Sequence, residues 1–164
     1  MPITYEPIAT TTLGSATASI TFSTISGAYT DLALVLNGKT TGSGWVGLVI
    51  QLNSDTGSNY STTYLYGDGS NAGSGRESNQ SYSNSGAISE SNPTPNIFHF
   101  QNYSNTTTYK TWLCRASLTQ SGGWVKAAVG LWRSTSAITS IKVYHPTDSL
   151  ASGTMATLYG IKSA

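Results

Sequence analysis

The fold class is decided by one stretch of sequence, Trp124-Val125-Lys126-Ala127-Ala128-Val129-Gly130-Leu131-Trp132. Its side chains alternate with a period of two, which is the period of a β-strand. The alternate positions from Val125 to Leu131 are predicted to face a core. Trp124 and Trp132 then lie on the second face of the strand. An aromatic second face indicates that something covers it as well.

The same alternation recurs along the rest of the chain. Leu32, Leu34 and Leu36 share one face of a second run, and further runs occupy 45–52 and 141–144. Counted in this way, the chain contains about nine or ten short strands and no amphipathic helix. Parallel sheets need crossover segments that such a chain lacks. The sequence therefore predicts an all-β, antiparallel β-sandwich, with a jelly roll as the first choice, in one domain over residues 1–164.

Two segments depart from this rhythm. Residues 1–12 contain Pro2 and Pro7, which favour an extended backbone, and are predicted to form an extended amino-terminal arm. Residues 67–95 are rich in Gly, Ser and Asn and are predicted to form a long loop that contains at most one edge strand. Structureless connections of this length are uncommon, so this loop is expected to be functional or to be held by contacts.

Charge and hydropathy narrow the choice of partners. Only 9% of the residues are charged and the net charge is +1, so the chain has no basic stripe for nucleic acid. It also has no run of about 18 apolar residues, so no membrane span is expected. The first residues lack the basic flank and apolar stretch of a secretory signal. We therefore expect neither nucleic acid nor membrane as a partner, and synthesis in a cytoplasm without signal-directed export.

Residues suited to catalysis are few. His99 lies between two phenylalanines that share the opposite face of a strand, and His145 precedes Pro146 in a turn. Cys114 sits inside an apolar run and is expected to be an inert core residue. Four loop acids show no spacing that selects a glycosidase pair or a calcium loop: Asp55, Asp68, Glu77 and Glu90. The sequence thus predicts a chain that is not an enzyme and uses no cofactor or metal.

Three strings carry a resemblance to a known family. They are Tyr5-Glu6-Pro7-Ile8-Ala9-Thr10-Thr11-Thr12, Asn53-Ser54-Asp55-Thr56-Gly57-Ser58-Asn59-Tyr60-Ser61 and Thr157-Leu158-Tyr159-Gly160-Ile161. Together they resemble small virion proteins of tailed phages, particularly phages of cyanobacteria. The resemblance implies a jelly-roll module, usually trimeric, that serves as a capsid decoration (cement) protein or as part of a tail fibre.

A cement protein works by burying surface against its neighbours, so the expected partners are further copies in a homotrimer and the major capsid protein or other virion proteins. Residues predicted to make such contacts belong to the arm or are aromatic: Tyr5, Pro7, Trp45, Trp124 and Trp132. The alternative is a tail-fibre or tail-associated adhesin that contacts a host-surface glycan or receptor through tyrosines of the long loop and its neighbours: Tyr64, Tyr66 and Tyr82. A third possibility is the carbohydrate-binding module of a bacterial enzyme.

Overall fold

The computed structural model describes residues 4–119 and 123–162. This part of the chain forms strands only, and it has no helix long and apolar enough to cross a membrane. The strands are β1 (Tyr5–Thr12), β2 (Ser19–Phe22), β3 (Asp31–Gly38), β4 (Trp45–Val46), β5 (Val49–Leu52), β6 (Tyr60–Gly67), β7 (Ala72–Gln80), β8 (Ile88–Ser89), β9 (Thr94–Phe100), β10 (Lys110–Leu118), β11 (Trp124–Trp132), β12 (Ile141–Tyr144) and β13 (Met155–Ile161).

Two layers of unequal size build the fold. The main sheet has eight strands in the order β1-β13-β3-β9-β10-β11-β6-β7, and the small sheet has three in the order β2-β12-β5. The strands of both sheets pair antiparallel. The short strands β4 and β8 form a separate pair. The all-β, antiparallel sandwich predicted from the alternating runs is thereby confirmed, and its layers are compatible with a jelly roll.

The core lies between the two sheets. The leucines of β3 and the inward residues of β12 face each other there, as their alternation predicts. Aromatic side chains of the main sheet fill the centre, and Phe100 lies against Trp112 with ring centroids 5.4 Å apart. The main sheet is wider than the small sheet. The inner face of its strands β10, β11 and β6 therefore needs a further covering segment. The segment 81–90 packs over that side and is tied to the strands by its backbone.

The predicted orientation of β11 is reversed in the structure. Val125 is 55% exposed, whereas Lys126 is only 5% exposed and Trp132 is buried. The reason is steric: Gly130 pairs with Trp112 on the neighbouring strand, and a Cβ at Gly130 would lie 2.1 Å from Trp112 Cε2. The indole of Trp112 occupies the space that a side chain at position 130 would fill. The face of β11 that contains Gly130 therefore points inward, and the face that contains Val125 and Val129 points outward.

The two irregular segments contain strands. Within the predicted arm, 5–12 is extended, but it pairs with β13 as an edge strand of the main sheet and is not free; residues 1–3 lie outside the described residues. The Lys162 ammonium donates to Glu6 Oε1 at 2.8 Å across this pair. Within the predicted loop, β7 forms the opposite edge of the main sheet, and β8 follows it. A proline at position 7 fits an edge strand, where a backbone donor is not needed.

Candidate functional site

The outer face of the main sheet, which points away from the small sheet, is the most distinctive surface of the molecule. Two rows of side chains cross its six central strands in register. The first row consists of Tyr159, Ala33, His99, Leu113, Val129 and Thr63, in order from β13 to β6. The second row consists of Thr157, Val35, Ile97, Arg115, Ala127 and Leu65. These rows define what we call the outer face.

The outer face is hollowed into an open trough with a volume of about 970 Å³. All residues of the two rows except Thr157 line the trough, and Tyr5 of the edge strand β1 lines it as well. Most of the lining is aliphatic. Leu65 is 62% exposed and Leu113 is 54% exposed, and Val129 is exposed between them. Contiguous apolar surface of this kind on a single chain marks an interaction site.

Strand β11 has an apolar outward face, and Leu113 of β10 lies beside it, which explains why the trough is apolar. On β10 the buried Trp112 is followed by the exposed Leu113, and on β11 the buried Ala128 is followed by the exposed Val129. An antiparallel sheet with one face in water normally alternates apolar with polar residues. Strand β11 instead has the composition of a strand that is covered on both sides, whereas the outward residues of β10 other than Leu113 are polar: Thr111, Arg115 and Ser117.

A histidine and an arginine lie among the aliphatic residues of the rows. His99 lies between Ala33 and Leu113, and its Nε2 is buried without a hydrogen-bond partner among the described residues. A buried ring nitrogen without a partner is costly, so a group from outside the chain would satisfy it. Arg115 is exposed between Ile97 and Ala127 in the second row.

A buried lysine lies on the inner face of the same strands. Lys126 Nζ donates to the carbonyl oxygens of Asn84 at 2.9 Å and Gly86 at 3.1 Å, and it lies 4.8 Å from the centre of the Tyr64 ring. Burial lowers the pKa of the Lys126 ammonium. The lysine thus fastens the covering segment 81–90 to β11, which is a structural role.

Two groups that could perform acid–base or nucleophilic chemistry, His145 and Cys114, are held in structural positions. His145 Nδ1 accepts a hydrogen bond from the backbone N–H of Asp148 at 2.9 Å. Burial lowers the pKa of the imidazole, so the ring is neutral and stabilises the turn that contains it. Burial raises the pKa of the Cys114 thiol, which keeps it protonated in the core. Over 4–119 and 123–162, no group of three or more His, Cys, Asp or Glu residues is placed to hold a metal ion.

The residues predicted to make contacts are dispersed. Tyr5 is exposed at the end of the trough, and Pro7 is exposed on the edge strand. Trp124 is half-buried and stacks on Tyr66 at 6.1 Å. The side chain of Trp45 lies outside the described residues.

The prediction of Trp132 as an outward contact is corrected by the structure. Its ring is buried and stacks on Tyr60 with centroids 6.5 Å apart. Its Nε1 donates to Asp55 Oδ2 at 2.7 Å. Burial alone would raise the pKa of Asp55, but hydrogen bonds from Trp132, Asn59 and Gly57 outweigh it and lower the pKa. Trp132 and Asp55 therefore stabilise the end of the core.

The three tyrosines predicted to contact a glycan do not form one site. Tyr64 and Tyr66 are neighbours on β6, with ring centroids 6.4 Å apart, and their rings lie over the glycines of β7. Together with Trp124 they form an aromatic row at the edge of the sandwich. Tyr82 instead packs edge-on against Tyr144 of the small sheet at 6.2 Å.

The exposed aliphatic residues of the outer face were missed by the sequence prediction. Val125 and Val129 were expected in the core, and Leu65 and Leu113 were not singled out. The signal that could have found the two valines is the double-sided apolar character of β11. A strand that would be buried on both faces requires a second cover, whichever face is taken as the inner one.

Comparisons with known proteins give no assignment. No protein-family model and no curated protein matches the chain. Among solved structures, a mutant of the alginate lyase Aly36B in complex with an alginate tetrasaccharide is 12% identical over 94% of this chain and 80% of its own, with a TM-score of 0.28. A likeness this weak carries no argument about fold or activity.

Proposed function

We propose that the chain is a non-enzymatic structural protein of a phage particle, made in the host cytoplasm, that acts as a trimeric capsid decoration protein. The observation that supports a protein-contact role is the exposed, aliphatic outer face of the main sheet. The assignment to a phage particle rests on the resemblance of the three sequence strings. The major capsid protein or another virion protein is the proposed partner of the assembled trimer.

The proposed mechanism is burial of surface on a closed shell. A protein that binds only the closed form stabilises that form by mass action, by about 2.7 kcal/mol per site when its concentration is a hundred times the dissociation constant. The low charge of the chain suits this role, since few ions would have to be desolvated. No reacting group is required.

The test is reconstitution on particles that lack the chain. Purified wild-type protein is added, and the particles are imaged and heated; extra density on the capsid lattice and a higher rupture temperature are expected. Leu113→Lys, which places a charge in the trough, should abolish the added density. Ser23→Lys adds the same charge to an exposed position after β2, in the opposite layer, and should decorate normally. Absence of the wild type from both lattice and tail would refute a virion role.

A tail adhesin is the second candidate, and the aromatic row of Tyr64, Tyr66 and Trp124 supports it. Stacked rings at a sheet edge are a suitable platform for the apolar faces of sugars. Density on the tail instead of the lattice would favour this function. In that case Tyr66→Ala should weaken attachment to host cells, whereas Tyr109→Ala, which removes a more exposed tyrosine away from the row, should not.

A further inference from the structure

Three side chains that can react with one another lie together on the inner side of the main sheet: the amine of Lys126, the amide of Asn84 and the carboxyl group of Glu77. Lys126 Nζ lies 3.5 Å from Asn84 Oδ1, and Asn84 Nδ2 donates to Glu77 Oε1 at 3.0 Å. Lys126 belongs to β11, Asn84 to the covering segment 81–90 and Glu77 to β7. An amine next to an amide that a carboxyl group holds is the arrangement needed for transamidation, in which the amine replaces the amide nitrogen.

We propose that Lys126 Nζ and Asn84 Cγ form an isopeptide bond within the chain, with Glu77 carrying the proton and ammonia leaving. In the structure the amine and the amide are separate groups, which is the state before the bond forms. The product joins β11 covalently to the segment that covers it. This inference goes beyond the proposed function and does not depend on it, because the reaction needs no partner.

The environment of the amine favours its reactive, neutral form. Lys126 is only 5% exposed, and it pairs with Ala116 on one neighbouring strand and with Tyr66 on the other. Burial lowers the pKa of this amine, and only a neutral amine is a nucleophile. A neutral amine has two N–H groups and one lone pair. The backbone carbonyl oxygens of Asn84 and Gly86 accept from Nζ at 2.9 and 3.1 Å, so the lone pair is left for the amide carbon.

The amide is held in place on its other sides. A Cβ at Gly47 would lie 1.9 Å from Asn84 Oδ1, so the missing side chain at position 47 makes the room that the amide occupies. The hydrogen bond to Glu77 fixes the amide nitrogen. The carbon to be attacked is one C=O bond, about 1.23 Å, from Oδ1. Well-aligned groups within one molecule react as if their concentration were about 10⁵–10⁸ M, so this arrangement needs no further activation.

The reaction balances without an oxidant, a reductant or a cofactor. The Nζ lone pair forms a bond to Cγ, and the electron pair of the C=O double bond moves to Oδ1. Nζ and Nδ2 are then bonded to the same carbon, so the Glu77 carboxylate beside Nδ2 takes a proton from Nζ and delivers it to Nδ2. When the Cγ–Nδ2 bond breaks, its electron pair leaves with ammonia and the carbonyl group forms again.

The mass of the purified, folded protein tests this inference. The wild type is expected to become lighter than its sequence by one ammonia, about 17 Da, during expression or on incubation. After denaturation, trypsin should not cleave after Lys126, and residues 77–110 should remain joined to residues 116–133. The joined peptide is the decisive observation, because a succinimide at an asparagine loses the same mass without joining two peptides.

A second lysine provides the control within the same digest. Lys110 is also buried, and its Nζ donates to the carbonyl oxygens of Thr108 and Thr135. Among the residues that the structure describes, no side-chain amide accepts from it. Trypsin should therefore cleave after Lys110 in the wild type.

Three variants assign the roles of the three groups. Lys126→Met and Asn84→Ala each remove one end of the bond and should retain the full mass of their sequences. Glu77→Gln keeps a hydrogen-bond acceptor beside Nδ2 but cannot carry the proton, so the mass loss should become about a hundredfold slower or more. Circular dichroism establishes that each variant folds. Wild-type protein taken before the bond forms, recognised by its full mass, retains the titrating amine of Lys126.

A folded wild type that keeps its full mass through prolonged incubation and is cleaved after Lys126 would overturn the inference. So would a loss of ammonia that persists in Lys126→Met. An equally fast loss in Glu77→Gln would refute the proton transfer assigned to Glu77. None of these results depends on the particle, where the proposed function is measured separately.

Discussion

The inner and outer faces of β10 and β11 both carry large apolar side chains at their centre, yet these side chains have opposite environments. The inner face presents Trp112 and Lys126, and the outer face presents Leu113 and Val129. Inside, a large ring fits against a glycine and an ammonium group binds two carbonyl oxygens. Outside, medium-sized aliphatic groups lie beside one another and are not covered by another layer of the described residues. Hydrophobicity alone thus does not distinguish a core face from an interface, whereas complementary shape and satisfied polar groups do.

The strongest test of this difference uses two adjacent residues. Trp112→Ala should lower the free energy of unfolding by about 3–5 kcal/mol, because it leaves a cavity and removes the 3.0 Å hydrogen bond to Ser85 Oγ. Leu113→Ala should change the stability of the monomer by less than about 0.5 kcal/mol. Urea denaturation at a protein concentration below the association range measures both. Equal losses would mean that the outer face is covered within the monomer.

A second test fills the gap on which the inner face depends. Gly130→Ala should destabilise the fold by about 1–3 kcal/mol, because its Cβ would overlap the Trp112 ring. Gly14→Ala is the matched control, since no atom lies within 4 Å of a Cβ there, and it should have little effect. Thermal unfolding compares the two. Tolerance of alanine at position 130 would contradict the steric reason for the orientation of β11.

The smallest expected effect concerns the buried lysine. Burial lowers the pKa of the free Lys126 amine, while the negative charge of Glu77 acts in the opposite direction. The unfolded chain therefore holds this proton up to a pH of about 10.4, whereas the folded chain releases it earlier. Stability from this group must rise with pH in that interval.

Lys126→Met keeps a long apolar side chain and removes the titrating group, so it isolates this contribution. The wild type should gain free energy of unfolding relative to Lys126→Met as the pH rises from 7 toward 10. Urea titrations of both proteins at several pH values measure the difference, in which the ionisation of tyrosines common to both cancels. A constant difference would show that Lys126 titrates alike in the folded and unfolded chains.

Much of the fold was predictable because alternation depends only on local sequence. The leucines of β3, the pair Ile141 and Val143, and the core position of Cys114 follow from period two and hydrophobicity. The direction of β11 was not predictable in this way, because both of its faces are apolar. The partners of Lys126 come from a segment about forty residues away in sequence, so no local pattern indicates them.

The amino-acid sequence by itself determined that this chain is an antiparallel β-sandwich with few charges and few groups suited to catalysis. It did so because strand periodicity and composition are properties of neighbouring residues. Only the tertiary structure decided which side of each double-sided strand became core, since that choice depends on Gly130 accepting Trp112 and on the carbonyl oxygens that receive Lys126. The same choice placed Leu65, Leu113 and Val129 together on the outer face, where residues from three strands become one surface only through sheet register.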